Sequence, residues 1–306
     1  MKTGSKIVIT GATGFLGKYI IAELVAKGYA VCVLSRDAEK ARQMLGNADE
    51  YVNWNGDESP ELQSAIEGSK AIIHLAGASI AGKRWSESYK REIMESRKKG
   101  TLAIANAIAK AVAPPEVWFS TSAIGYYGNG GNEVKLETSP SSTDFLSTVC
   151  KEWEAATLPA ENYCRIVRGR IGVVLHEREG ALAKMLLPFR LRFGGWLGSG
   201  RQWLSWVHFA DVAGMIVWSV ENSSVRGAMN IVSPNPVPMK KFAATLGKVL
   251  NRPSWCLVPE FVLKLILGEQ AWIVITGQRV MPDVAQNYGY RFQFTELENA
   301  LENLLC

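Results

Sequence analysis

Short apolar runs and apolar-periodic segments alternate along the first half of this chain. Ile7-Val8-Ile9, Ala30-Val31-Cys32-Val33-Leu34, Ala71-Ile72-Ile73 and Val117-Trp118-Phe119 are continuous apolar stretches, the pattern of strands covered on both faces. Between them the spacing turns helical, with Leu16, Ile20 and Leu24 on one face of the first such segment. The pattern predicts strands at 7–10, 30–34, 50–54, 71–76, 117–121 and 164–168, and helices at 15–27, 37–45, 60–67, 86–112 and 144–157. Such alternation predicts an α/β fold whose parallel sheet carries helices on both sides. Ligands of these sheets bind beyond the carboxyl ends of the strands. Three segments lie there: Gly11 to Gly17, His74-Leu75-Ala76-Gly77 and Ser120-Thr121-Ser122.

Beyond about residue 175 the texture changes. Gly194 to His208 is rich in glycine and tryptophan and reads as a mobile loop feeding a short strand. Pro234-Asn235-Pro236-Val237-Pro238 reads as a turn or linker, followed by helical stretches near 239–250, 259–276 and 295–304. The expected organisation is a dinucleotide-binding unit at 1–175, to which 205–232 return, and a smaller, partly helical C-terminal substrate domain made of 176–204 and 233–306.

The first strand runs into Gly11, Gly14 and Gly17, at i, i+3 and i+6. Gly11 can turn tightly off the strand, Gly14 lets backbone amides approach a pyrophosphate, and Gly17 lets the helix pack on the strand. At the end of the second strand, where an NAD-specific protein places Asp or Glu on the ribose 2′-hydroxyl, stand Ser35 and Arg36. A cation there suits a 2′-phosphate, so NADP(H) is favoured over NAD(H). Stacking of Arg36 on adenine, or simple solvation, is the alternative.

Bulk properties narrow the class. The chain has 306 residues, 47% hydrophobic and 21% charged, with a formal net charge of +5. Lys83-Arg84, Lys90-Arg91 and Arg97-Lys98 recur every seven residues but are interleaved with Glu87, Glu92 and Glu95, the mark of a salt-bridged solvated face. No aromatic-basic module accompanies them, so nucleic acid is not an expected partner. The five cysteines have no CxxC spacing and read as reduced thiols. With three histidines no metal cluster is expected, and no apolar run nears the ~18 residues of a bilayer span. The expectation is a cytoplasmic protein without a membrane partner.

Thr10-Gly11-Ala12-Thr13-Gly14-Phe15-Leu16-Gly17, His74-Leu75-Ala76-Gly77 and Trp118-Phe119-Ser120-Thr121-Ser122 resemble an extended short-chain dehydrogenase/reductase of the nucleoside-diphosphate-sugar epimerase type. Lys83-Arg84-Trp85, Ser96-Arg97, Gly125-Tyr126-Tyr127-Gly128, Gly198 to Trp203, Leu267-Gly268-Glu269 and Gly277-Gln278-Arg279-Val280 resemble its atypical "epimerase family protein" branch. The resemblance implies a Rossmann-like doubly wound sheet, a nicotinamide coenzyme and a substrate cleft between the two parts. It places coenzyme contacts at Gly11, Thr13, Gly14, Phe15, Leu16, Gly17, Ser35, Arg36, Leu75, Ala76 and Gly77. By analogy with relatives, helices 86–112 and 144–157 are a surface for a homodimer.

In the ordinary family a Tyr is the acid/base, and a Lys four residues later lowers its pKa. No tyrosine here has Lys at i+4, and Leu146 and Cys150 occupy those two slots. Lys151 is one residue away, about 100° round the helix. Ser122 matches the family serine, and Tyr127 is the candidate acid/base; packing of Tyr126 and Tyr127 against substrate or loop is the alternative. Tyr126, Arg201 and Trp203 are candidate substrate contacts, Arg201 as a fork for a phosphate or carboxylate. Cys150 reads as a small core residue before a reactive thiol, His208 as structural, Asp211 as a helix N-cap and Glu133 as a loop anchor. Two functions compete: an oxidoreductase or epimerase acting on a small polar molecule, and a non-catalytic NADP(H)-binding redox sensor.

Overall fold

A computed structural model describes residues 4–306. Seven parallel strands form one sheet: β1 (Lys6–Thr10), β2 (Ala30–Ser35), β3 (Glu50–Asn53), β4 (Ala71–His74), β5 (Val117–Ala123), and the strands Arg165–Ile171 and Gly227–Ile231. Read across the sheet, the order is Gly227–Ile231, Arg165–Ile171, β5, β4, β1, β2, β3. The direction of winding reverses between β1 and β4, the switch point where a doubly wound sheet opens a crevice.

Helices α1 (Gly17–Ala26) and α7 (Phe209–Glu221) cover one face, where Ile20, Leu24, Met215 and Ile216 pack on Ile7, Ile9 and Phe119. Helices α3 (Pro60–Ile66) and α4 (Glu87–Lys110) cover the other, with Leu62, Ile104 and Ile108 on Val8, Ile72 and Trp118. Local chemistry sets the helix starts: Asp37 accepts from Lys40 N at the head of α2 (Ala38–Leu45), Ser59 from Leu62 N, and Ser86 from Tyr89 N. Asp144 caps α5 (Phe145–Ala155) in the same way through Ser147 N. After α7 the chain returns to the sheet as the edge strand Gly227–Ile231.

A third core gathers Leu182, Leu186 and Phe189 of α6 (Gly180–Arg190), Phe242 and Leu246 of α8 (Met239–Val249), and Leu301 and Leu304 of the final helix, Leu297–Leu305. Among the described residues no helix is long and apolar enough to cross a membrane.

Two expectations are corrected here. The glycine- and tryptophan-rich segment does feed the short strand Trp206–His208, but it is largely paired, with only residues 198–202 and 205 outside strands. Gly194–Leu197 pairs with Ser254–Val258, Trp203–Leu204 with Val237–Pro238, and Trp206–His208 with Val173–Leu175. Its glycines permit close packing: a Cβ on Gly195 would overlap the Cys256 carbonyl, and one on Gly194 the Phe189 ring. The helix expected over 259–276 is broken into α9 (Glu260–Leu267), a 3-10 turn at Gly268–Ala271 and a single turn at Trp272–Ile275. Gly268 stands at φ +60°, outside the helical region, and stops α9.

Candidate functional site

At the switch point the chain leaves β1 through Gly11, whose φ of +69° suits glycine. A Cβ there would lie 2.7 Å from Ala76 N, so the ends of β1 and β4 close together only without a side chain. Gly14 N donates to Gly11 O at 3.0 Å, closing the turn. A Cβ on Gly17 would overlap the Ala12 carbonyl, which seats α1 directly on that turn.

Beside the turn lies a cleft of about 530 Å3, lined by Gly11, Thr13, Gly14, Ser35, Arg36, Leu75, Ala76 and Gly77 of the expected contacts, with Trp54, Asn55, His74, Glu92 and Lys99 in addition. Leu16 and Gly17 do not line it; Leu16 is the cap residue of α1 and Gly17 is buried beneath the turn. Phe15 instead lines a second, larger cavity, its ring edge-on to His176 at 5.2 Å. Lys99 pairs with Asp57 at 2.6 Å and Glu92 with Lys83 at 3.8 Å. Among the described residues Arg36 is thus the lining charge with no ion-pair partner, and it is exposed. The neighbouring Asp37 carboxylate is committed to Lys40 N at 2.9 Å.

His74 forms the cleft floor. It is buried, its Nδ1 lies 2.6 Å from Thr10 Oγ1, its carbonyl accepts from Thr121 Oγ1, and its Nε2 has no partner among the described residues. Burial pushes its pKa down to about 3, so the ring is neutral at ordinary pH.

At the end of β5 the structure departs from the expected acid/base arrangement. Ser122 is buried and donates to Glu154 Oε1 at 2.7 Å. Glu154 also receives Arg170 Nε at 2.8 Å and Nη2 at 2.9 Å. Tyr127, 3% exposed, donates to Asn230 Oδ1 at 2.7 Å and accepts from Arg170 Nη1 at 2.9 Å. Burial outweighs that guanidinium and pushes the phenol up to about 12. Neither hydroxyl lines the cleft or the larger cavity. The cation beside Tyr127 is Arg170, and both hydroxyls hold the strand end together. Cys150, in the slot of the family lysine, is buried, donates to Ala123 O, and is pushed up to about 12 by burial, the state of an inert core thiol.

The larger cavity, about 880 Å3, lies between the sheet end and the C-terminal core. Gly77 and Ala78 belong to the walls of both spaces. None of Tyr126, Arg201 and Trp203 lines it. The Arg170 guanidinium sits 3.5 Å from the Tyr126 ring centre. Trp203 Nε1 donates to Asn132 Oδ1, and its indole carries Arg279. Arg201 is exposed, in the turn between the strands Gly194–Leu197 and Trp203–Leu204. The charged residues that do line the cavity are Arg97 and Lys184. Arg97 reads in sequence as part of a basic face, but it follows the buried Ile93 by one helical turn, the signal that it points inward.

His208 has the structural role expected, its Nδ1 accepting from Ala210 N at the head of α7. Asp211 is not that cap. It is buried in the first turn and receives Gln293 N at 2.8 Å, Phe294 N at 2.9 Å and the Tyr290 hydroxyl at 3.1 Å. Glu133 pairs with Lys135 at 2.8 Å in the loop after Gly131.

Comparison with known proteins agrees with this geometry. A sequence profile of the NAD dependent epimerase/dehydratase family matches residues 7–232, and one of a domain of unknown function, DUF1731, matches 258–304. The chain is 40% identical over 301 residues to "Epimerase family protein SDR39U1 homolog, chloroplastic" of Arabidopsis thaliana, covering 98% of this chain and 86% of that protein. It is 40% identical to "Epimerase family protein YfhF" of Bacillus subtilis, covering 98% of each. The crystal structure of human epimerase family protein SDR39U1 (isoform 2) with NADPH superposes with a TM-score of 0.88 at 34% identity, over 98% of each chain. UDP-glucuronic acid 4-epimerase of Bacillus cereus, 16% identical with a TM-score of 0.78 over 98% of this chain and 97% of that one, shares the fold alone. With its glycine turn, its switch-point cleft and these relatives, the chain belongs to the NAD dependent epimerase/dehydratase family.

Proposed function

We propose that this chain is an NADP(H)-dependent oxidoreductase of the short-chain dehydrogenase/reductase type. The observation that carries the reading is Arg36: an exposed guanidinium without an ion-pair partner, at the edge of the cleft where a carboxylate would favour NAD. The side-chain-free approach of Gly11 to Ala76 fits a ligand lying across the switch point. Gly11, Thr13 and Gly14 would hold the diphosphate by backbone amides, and Arg36 the 2′-phosphate. The bound coenzyme supplies hydride. This chain's own part is to bind, to orient and to exclude water, through a cleft that meets the larger cavity at Gly77-Ala78.

A relative solved with NADPH supports the preference. Charge-assisted hydrogen bonds contribute about 1.5–3 kcal/mol, less when exposed. NADPH should therefore bind about tenfold tighter than NADH, and Arg36→Ala should erase the difference. Equal affinities in the parent protein would leave Arg36 as a solvated residue. The occupied hydroxyls of Ser122 and Tyr127 favour a second reading, a redox sensor that binds without turnover. NADPH oxidation across a panel of aldehydes, ketones and sugar nucleotides separates the two.

A further inference from the structure

We infer that the larger cavity takes an apolar-bodied anion, its charged head on Arg97 beside the coenzyme cleft and its body among the aromatic and aliphatic side chains beyond. The walls carry the argument. Phe189, Phe193, Phe242, Met185, Leu197 and Val258 line the body of a space of about 880 Å3, a size ordinary for a small-molecule site. Among the described residues the cavity has two charged lining residues, both cations, and no carboxylate faces it.

Arg97 stands at the coenzyme end. A Cβ on Gly77, which lines both spaces, would lie 3.3 Å from the Arg97 Cζ. Its Cζ lies over the Trp153 ring, 4.9 Å from the ring centre, and Nη1 donates to Ile93 O at 3.0 Å. Among the described residues the other N–H donors of this fork have no partner, and it makes no ion pair. A half-buried guanidinium fixed on one side and open on the other is built to receive an oxyanion. Lys184, exposed on α6, adds positive potential at the rim.

A nucleotide sugar fits these walls badly. Its ribose and hexose hydroxyls and two phosphates would lie against rings and methyl groups, and each unpaired polar group so buried is costly. The small polar molecule expected from sequence gives way to an amphipathic one.

The inference deepens the oxidoreductase reading and rests on it only in placing the head beside the coenzyme. Full-length protein is titrated calorimetrically with decanoate below its micelle concentration, with decanol and with UDP-glucose, each with and without saturating NADPH; NADPH is titrated separately. Decanoate should bind saturably at one site, and UDP-glucose should not bind. Arg97→Gln should weaken decanoate about tenfold, leaving decanol and NADPH within twofold. Lys184→Gln, on an exposed helix position that does not test the fold, should weaken decanoate severalfold. Binding of UDP-glucose without decanoate overturns the inference. So does decanoate affinity unmoved by both charge variants, or a loss in Arg97→Gln confined to NADPH. Failure of NADPH to bind while decanoate behaves as stated would fault the coenzyme reading instead.

Discussion

Replacing Glu154 by Gln tests whether the centre below β5 is structural. The Arg170 side chain is 4% exposed and that of Glu154 12%, and two parallel bonds of 2.8 and 2.9 Å join them. Ser122 adds a third bond at 2.7 Å. Pairing with Glu154 holds the Arg170 pKa above the usual guanidinium value despite its burial. Removing one partner of a buried pair leaves an uncompensated charge and costs about 3–5 kcal/mol. Gln keeps one acceptor, for Ser122 or for Nε, but turns an amide N–H₂ toward Nη2, so we expect the lower end, about 3 kcal/mol. Urea unfolding at pH 7 measures it through the midpoint, with the slope unchanged. The double variant Glu154→Gln/Arg170→Met, which removes the orphaned charge, should recover more than half of the loss. NADPH affinity of the folded single variant should stay within twofold, because neither residue lines the cleft. A loss under about 1 kcal/mol, or a double variant as unstable as the sum of its parts, would refute the assignment.

Other outcomes follow from the same packing. Gly17→Ala drives a methyl into the Ala12 carbonyl, so soluble yield and NADPH binding should fall together, whereas Gly46→Ala, with open space around its Cβ, should cost only the strain of its positive φ. With a chromogenic disulfide at pH 8, the exposed Cys306 should react fast, while Cys32 and Cys150, both raised to about 12 by burial, should react only on unfolding; equal rates would contradict their burial. Burial holds His208 neutral down to about pH 4. Below about pH 6.5 the unfolded chain takes up a proton that the folded one refuses, so this residue makes stability fall as pH drops from 6.5 toward 4. His208→Asn, which keeps an acceptor for Ala210 N, should flatten that part of the profile; an identical slope would exclude the cause. Asp211→Asn should free the segment around Gln293 and Phe294, read as faster amide exchange at those two residues and no change at β1.

The sheet and its glycine turn were legible because strands buried on both faces leave continuous apolar runs and the turn needs glycine at fixed spacing. All strands through 168 are present, with ends shifted by a few residues. The second half was less legible. Glycines that admit a neighbouring backbone, as Gly195 does with Cys256, carry the same letter as glycines that loosen a loop. Tyr127 illustrates a second limit: a phenol near a strand end is visible in sequence, but the Asn230 that occupies it lies 103 residues away along the chain. Arg97 shows a third, since its inward direction depends on which face of α4 meets the sheet.

The Asp211 clamp bears on how this chain is made. The carboxylate is buried within α7, yet its backbone donors at Gln293 and Phe294 lie 82 and 83 residues downstream. During translation α7 leaves the ribosome long before them, so a nascent sheet already formed would carry a carboxyl without its hydrogen-bond donors at its seam. Ribosomes stalled before codon 293 should hold a loosened, protease-sensitive intermediate, and the lock should close only once residues 293 and 294 have cleared the ribosome.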